Sequence, residues 1–176
     1  AITERKNLLG VVQALQQLPA GLRLPLVVIG SGATYKLKVQ SFLLRHRMLD
    51  QVQFVQVDPQ DLPAIYQKAT LFLYPSFYEG FGIPVLEALF SRTPVITSNR
   101  SSMPEVAGPG AYLADPDRPE SIVQGIEKLL GDEGLRLKAI ESGYRHALQF
   151  HGEGLAEKMM RTYYALLGKN EIPRKE

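Results

Sequence analysis

The sequence predicts an α/β fold in which helices cover both faces of a parallel, Rossmann-like sheet. Short continuous apolar runs alternate along the chain with segments whose apolar residues have helical spacing. In addition, we interpret residues 1–3 as the tail of a strand that leads into a turn. We therefore expect a sheet whose first strand is truncated.

The strands are predicted from the apolar runs, which are typical of strands buried on both faces of a sheet. Turn residues end two of them, with Gly30 following the first run and Pro75 the third. In chain order, the predicted strands are 25–30, 52–55, 71–74, 94–97 and 111–113.

The helices are predicted between and after these strands. Leu8, Val12 and Leu15 have helical spacing, and Pro19 ends the first helix. Asp58 is the expected N-cap of the helix that continues towards residue 69. The remaining predicted helices are 35–47, 83–91, 104–107, 120–130, 133–149 and 154–167. Residues 1–168 are assigned to one domain, and residues 169–176 to a frayed, charged tail.

Composition excludes several classes of protein. The 176 residues suit a single domain, and a net charge of +2 gives no reason to expect nucleic-acid or membrane binding. The chain has no cysteine, which excludes disulfides, thiolate catalysis and zinc–thiolate sites. It has no apolar run long enough to span a bilayer. We expect a cytoplasmic location, with membrane contact only through another part of the intact protein.

The loop between the third strand and the next helix carries the strongest functional signal. Gly80 and Gly82 let the backbone approach a ligand closely or adopt positive φ. Amides around Gly82 and Ile83 lie at the start of a helix, where free N–H groups and the helix dipole favour an anion. Pro84 fits this first turn because its missing N–H is not needed there. The loop therefore predicts a phosphate site.

Two carboxylates flank this turn, Glu79 before it and Glu87 within the helix. A carboxylate beside bound phosphate repels it, so each is better explained as an acceptor for sugar hydroxyls. The alternative is an ordinary strand–loop–helix connection with a solvated Glu79 and a Glu87 on the helix surface. From the residues alone, both interpretations stay open.

Residues 78–88 resemble the E-x7-E motif of retaining GT-B glycosyltransferases of family 4, the group 1 enzymes. Their sequence is Tyr-Glu-Gly-Phe-Gly-Ile-Pro-Val-Leu-Glu-Ala. Four further blocks resemble the same family in the same order, namely 5–9, 61–66, 93–99 and 102–108. The resemblance implies the nucleotide-sugar-binding, C-terminal half of a GT-B fold. It also implies that helix 154–167 crosses back towards the other half.

The resemblance assigns roles to the loop residues. Glu79 holds hydroxyls of the transferred sugar, with Gly80 and the Phe81 and Gly82 amides nearby. The amides of Ile83 and Val85 are assigned to the diphosphate. The Glu87 carboxylate is assigned to the ribose.

Outside the loop, the resemblance assigns leaving-group stabilisation to Lys6, with Arg5 beside it. The loop with Gly30 and Gly32, together with Gln56 and Val57, borders the base. Many relatives carry an arginine five or six residues before this lysine, a position that falls on Ala1 or before it. Either that arginine precedes the chain, or this branch relies on Lys6, alone or together with Arg5.

The resemblance implies transfer of a hexose from GDP or UDP to an acceptor hydroxyl with retention, and no metal or other cofactor. The implied partner is an N-terminal acceptor domain, without which we expect no turnover. The alternative is a non-catalytic nucleotide-sugar-binding or regulatory module of the same fold.

A dinucleotide site is disfavoured, because Tyr35 replaces the third glycine of the dinucleotide-binding fingerprint. Asp115 and Asp117 are interpreted as a turn and helix cap, not as a metal site.

Overall fold

The computed structural model describes residues 1–168, with side chains for all of these except 153–158, so the predicted tail 169–176 lies outside the described residues. All five predicted strands are confirmed, with ends that differ by a residue or so. They are β1 (Leu26–Ile29), β2 (Val52–Val55), β3 (Phe72–Tyr74), β4 (Val95–Ser98) and β5 (Ala111–Ala114).

The predicted helices are also confirmed, with shifted ends. They are α1 (Leu8–Gln17), α2 (Thr34–Arg45), α3 (Leu62–Lys68), α4 (Ile83–Phe90), α5 (Met103–Ala107), α6 (Pro119–Gly131), α7 (Glu133–Ala147) and α8 (Gly152–Leu166). The largest shift follows Asp58, which caps a 3-10 turn, Pro59–Asp61, instead of α3 itself. An α-helix starting there needs an N–H at Pro63, which proline lacks.

All strand pairs are parallel, and the described strands form two sheets with the orders β1-β2 and β3-β4-β5. Alternate residues of β4 face opposite cores, as the two-residue period of a strand requires. Ile96 packs into a core that includes Val12 of α1 and Ile122 of α6. Val95 packs into a second core with Val85 and other residues of α4, α5 and α7. Helices therefore cover both faces, as the sequence predicts.

β1 and β3 belong to different sheets and do not pair with each other. Both strands instead line an apolar cavity of about 1030 Å³ that Leu18 and Ile126 also border. A doubly wound sheet places its first strand between these two edges. This agrees with a sheet whose first strand is absent from the described residues. The interpretation of residues 1–3 as the tail of a strand is wrong, because they form no strand and the Ile2 N–H donates instead to the carbonyl of Ser31 (2.7 Å).

Because the strands are parallel, the loops that follow them meet at one edge of the molecule, the position of ligands in such folds. Among residues 1–168, no helix is long and apolar enough to cross a membrane.

Candidate functional site

The loop between β3 and α4 has a backbone that only glycine suits at Gly82. This residue has φ 105°, in the left-handed region. A Cβ there would lie 2.2 Å from the Cε of Met103, so the space is also filled. Gly82 is the N-cap residue of α4, and no described side chain caps this helix. No described side chain therefore competes with an anion for the amides of Gly82 and Ile83 at this helix start.

Glu79 is held at the start of this turn by three side chains. Its Oε1 accepts hydrogen bonds from the Tyr74 hydroxyl (2.7 Å) and the Ser76 hydroxyl (3.1 Å). Its Oε2 forms an ion pair with the guanidinium of Arg5. The side chain is only 11% exposed. Partial burial by itself raises the pKa of Glu79, but hydrogen bonds from Arg5, Tyr74 and Ser76 outweigh it and hold the pKa below its ordinary value. Glu79 is therefore a fixed anion.

The loop between β4 and α5 holds the Glu79 loop from the other side. The Glu79 N–H donates to the hydroxyl of Ser101 (3.1 Å). The Ser102 hydroxyl lies 3.0 Å from the carbonyl oxygens of both Glu79 and Phe81, so its single proton has two acceptors within reach. Sequence reasoning assigned no role to either serine. The available signal was that both serines follow a predicted strand, since ligand sites of parallel sheets lie beyond the carboxyl ends of the strands.

Glu87 lies within α4 and is exposed. Its Oε2 accepts a hydrogen bond from the hydroxyl of Tyr66, on α3 (3.0 Å). Each glutamate of the motif is therefore bound by a tyrosine hydroxyl, which the sequence interpretation did not anticipate.

The segment before α1 brings two cations to the same edge. Arg5 donates to the carbonyl of Tyr78 (2.7 Å) in addition to its ion pair with Glu79, and its own carbonyl accepts from the Phe77 N–H (2.9 Å). Lys6 instead lies over the ring of Tyr74, with Nζ 5.4 Å from the ring centroid. The two neighbouring cations thus have different surroundings. Arg5 orders the Glu79 loop, and Lys6 borders the cavity.

The other predicted loop residues differ in what they offer a ligand. A Cβ on Gly80 would meet no atom within 4 Å, so this backbone faces open space. Phe81 and Ile83 are exposed, and Phe81 packs edge-on against Phe150 (5.8 Å between centroids). The Val85 side chain is buried, and its N–H already donates to the carbonyl of Gly82 (2.9 Å).

The residues predicted to border the base lie at the carboxyl ends of β1 and β2. Gly30 follows β1 with φ 128°, and a Cβ on Gly32 would lie 2.2 Å from the carbonyl oxygen of Ile2. Gln56 is exposed and Val57 half-buried directly after β2. The first residues of the chain therefore pack against the glycine loop.

Asp115 and Asp117 form the predicted turn, in which the Asp117 N–H donates to the Asp115 carboxylate (3.1 Å). Arg100 forms ion pairs with both carboxylates. Neither caps α6 with its side chain, because the N-cap residue is Arg118. In the part of the chain that the structure describes, no group of three or more potential ligand residues could hold a metal ion.

This fold matches part of the GT-B glycosyltransferase fold. A sucrose-phosphate synthase from Thermosynechococcus elongatus superimposes with a TM-score of 0.81 at 24% identity, over 94% of this chain and 43% of that one. The C-terminal domain of a group 1 glycosyl transferase from Francisella tularensis, LpcC, gives 0.74 at 25% identity, over 84% and 80%. HepE from Anabaena, solved with UDP and glucose, gives 0.81 at 17% identity, over 93% and 46%.

The family model of the group 1 glycosyl transferases matches residues 1–146, and the chain belongs to this family. It is 36% identical over 165 residues to O-antigen chain mannosyltransferase B of Escherichia coli, covering 92% of this chain and 43% of that protein. The O-antigen chain mannosyltransferase RfbU of Salmonella typhimurium is 35% identical over 59% of this chain and 31% of its own length. The chain thus spans less than half the length of these curated relatives.

Proposed function

We propose that this chain is the donor-binding, C-terminal half of a retaining family 4 glycosyltransferase, which transfers a hexose from GDP or UDP to an acceptor hydroxyl. One observation carries the proposal. Glu79, fixed and ionised, lies directly before the uncapped N-terminus of α4. The mannosyltransferase names of relatives and the UDP and glucose bound to HepE support it.

The Glu79 carboxylate suits the sugar of a nucleotide sugar, and the amides at the start of α4 suit its diphosphate. A fixed carboxylate accepts hydrogen bonds from sugar hydroxyls and repels phosphate, so Glu79 holds the transferred sugar. The amides at Gly82 and Ile83 donate to the diphosphate at the positive end of the helix dipole. Because the Val85 N–H is engaged within the first turn, its contribution to the diphosphate is smaller than the sequence suggested.

Lys6 supplies the positive charge for the leaving diphosphate, which gains negative charge in the transition state. It is the better placed of the two cations, because Arg5 is held on Glu79 and the Tyr78 carbonyl. In the same-face mechanism, the departing phosphate accepts the proton of the acceptor hydroxyl, and no metal ion takes part. Glu79 then positions the sugar and does not attack it. A glycosyl–Glu79 adduct detected by mass spectrometry would contradict this role.

The acceptor site belongs to an N-terminal domain outside residues 1–176, and the donor is enclosed when that domain closes on it. We therefore expect the chain by itself to bind donor without transferring sugar. Sugar transfer catalysed by the purified chain would contradict the assignment of the donor and acceptor sites to separate domains.

Calorimetric titration with GDP, UDP and ADP, and with their sugar conjugates, tests the proposal. We expect one nucleotide to bind saturably and Glu87→Ala to weaken it roughly tenfold, as for loss of a hydrogen bond to a charged group. Glu127→Ala, on the exposed face of α6, is the matched control and leaves the affinity unchanged. If no nucleotide binds, or if both variants bind as well as the parent chain, the proposed donor site is wrong.

A further inference from the structure

The two glutamates of the site are held in a corresponding way from two different elements. Tyr74, at the end of β3, donates to Glu79 (2.7 Å), and Tyr66, near the end of α3, donates to Glu87 (3.0 Å). Each tyrosine contacts one oxygen of its carboxylate. For Glu87 this contact fixes Oε2 and leaves Oε1 as an acceptor for a ligand hydroxyl.

Phe72 lies between the two tyrosines and fixes their spacing. Phe72 and Tyr74 are alternate residues of β3 and share one face, with their rings stacked at 5.7 Å between centroids. Tyr66 meets Phe72 edge-on at 5.2 Å. The Tyr66 carbonyl also accepts a hydrogen bond from the Thr93 hydroxyl (2.6 Å). The Tyr66 ring and backbone are therefore both held in place before any ligand arrives.

The phenol of Tyr66 is the donor in its hydrogen bond with Glu87. Burial raises the pKa of the Tyr66 hydroxyl, and the adjacent Glu87 carboxylate raises it further. The hydroxyl therefore stays protonated at any pH at which the protein works. Glu87 itself is exposed on α4, so without this contact its carboxylate rotates freely in solvent.

We propose that Tyr66 is a positioning residue that orients Glu87 towards the nucleotide ribose and thereby makes the site discriminate ribose from deoxyribose. This inference rests on the proposed function, in which Glu87 binds the ribose. A site that presents an oriented charged acceptor rejects an analogue that lacks the partner hydroxyl, because the acceptor then stays unpaired. The discrimination follows from orientation and not from the carboxylate alone.

The simpler explanation is that Tyr66 only packs against Phe72. The substitution Tyr66→Phe distinguishes packing from positioning of Glu87, because it keeps the ring and removes only the hydroxyl. Tyr74→Phe is the matched comparison, since its hydroxyl is bound to Glu79, on the sugar side. Tyr163→Phe, on the exposed face of α8, controls for loss of any tyrosine hydroxyl.

The test titrates each variant with the preferred ribonucleoside diphosphate and with its 2′,3′-dideoxy form. For the parent chain we expect the ribonucleotide to bind at least about tenfold more tightly. Tyr66→Phe should reduce this ratio of affinities at least about threefold. The reason is that it weakens binding of the ribonucleotide and leaves the affinity for the dideoxynucleotide unchanged. Tyr74→Phe and Tyr163→Phe should leave the ratio as it is.

Two results overturn the role of Tyr66 and leave the proposed function standing. In one, Tyr66→Phe keeps the full ratio while Glu87→Ala abolishes it. In the other, Tyr66→Phe weakens both nucleotides equally, which indicates packing only. A parent chain that binds no nucleotide, or a ratio that survives Glu87→Ala, removes the proposed ribose site and this inference with it.

Discussion

Tyr74 and Glu79 are joined by a 2.7 Å hydrogen bond that fixes the first carboxylate of the motif at the end of β3. Arg5 holds the other oxygen of the same carboxylate. Glu79 is therefore oriented before any ligand binds, and a ligand hydroxyl meets an acceptor whose position has already been set.

The stability that Glu79 contributes should disappear in acid. Its pKa is lowered in the folded state, so the contribution is complete above the ordinary value of about 4.3 and is lost as pH falls through the lower, folded value. At pH 7 we expect Glu79→Gln to reduce the free energy of unfolding by about 1 kcal/mol, since the ion pair is partly solvated. The difference between parent and variant should shrink below about pH 4.3.

Urea unfolding followed by circular dichroism, between neutral pH and about pH 3, measures this difference. Glu127→Gln is the control, because this glutamate lies on the exposed surface of α6. A difference for Glu79→Gln that stays constant through the acid range would show that the carboxylate is not stabilised in its ionised form.

The two glycines of the loop should respond differently to alanine. Gly82→Ala places a side chain at φ 105° against Met103, and we expect it to lower the free energy of unfolding by about 1–2 kcal/mol. Gly80→Ala points into open space and should change it by no more than about 0.5 kcal/mol. Urea unfolding of both variants tests the pair. Equal losses would mean that the conformation at Gly82 differs from the one described.

If the donor approaches the Gly80 backbone, as the family resemblance implies, Gly80→Ala should weaken donor binding even though the protein stays stable. Titration calorimetry on the same preparation gives this result directly, and unchanged affinity would place the donor elsewhere.

Ser102 should matter for the shape of the Glu79 loop. Ser102→Ala leaves the carbonyls of Glu79 and Phe81 without this donor, at a cost of about 1 kcal/mol in stability. The substitution should weaken binding of the sugar conjugate more than binding of the free nucleoside diphosphate, because the loop positions Glu79, which holds the sugar. Ser41→Ala is the control, since that exposed hydroxyl donates to the carbonyl of Leu37 within its own helix, away from the site. Equal weakening of both ligands would argue against a role in sugar positioning.

Lys6 should contribute to diphosphate affinity through its charge. Lys6→Met should weaken binding of the nucleoside diphosphate about tenfold, with a smaller effect at high salt. Lys128 offers a matched control, because it lies over the ring of Tyr112 (5.5 Å) much as Lys6 lies over that of Tyr74 (5.4 Å). If Lys128→Met has the same effect, the contribution is general electrostatics and not a specific contact.

The sequence predicted the elements well because each depends on local pattern. Apolar runs located the strands, and helical spacing located the helices. The differences lie at helix ends such as Pro59–Asp61, where prolines decide between a 3-10 turn and an α-helix. Likewise, Gly82 could be recognised as a special backbone position from its place before a helix.

The contacts around the site could not be predicted in the same way. The resemblance assigned Arg5 to the donor site, and nothing in the local pattern indicated that its guanidinium lies on Glu79. Tyr66 lay within a segment that resembles the family, yet nothing in the local pattern indicates that its hydroxyl reaches Glu87. Each of these pairs joins residues from different elements, and such contacts depend on strand order and helix packing.

By itself, the sequence determined a parallel α/β fold and a glycine loop flanked by two carboxylates, because backbone preferences and apolar periodicity act over a few neighbouring residues. Only the tertiary structure decided that Glu79 is held by Tyr74, Ser76 and Arg5. The parallel strands bring separate loops to one edge, where burial and close approach select which polar groups satisfy each other.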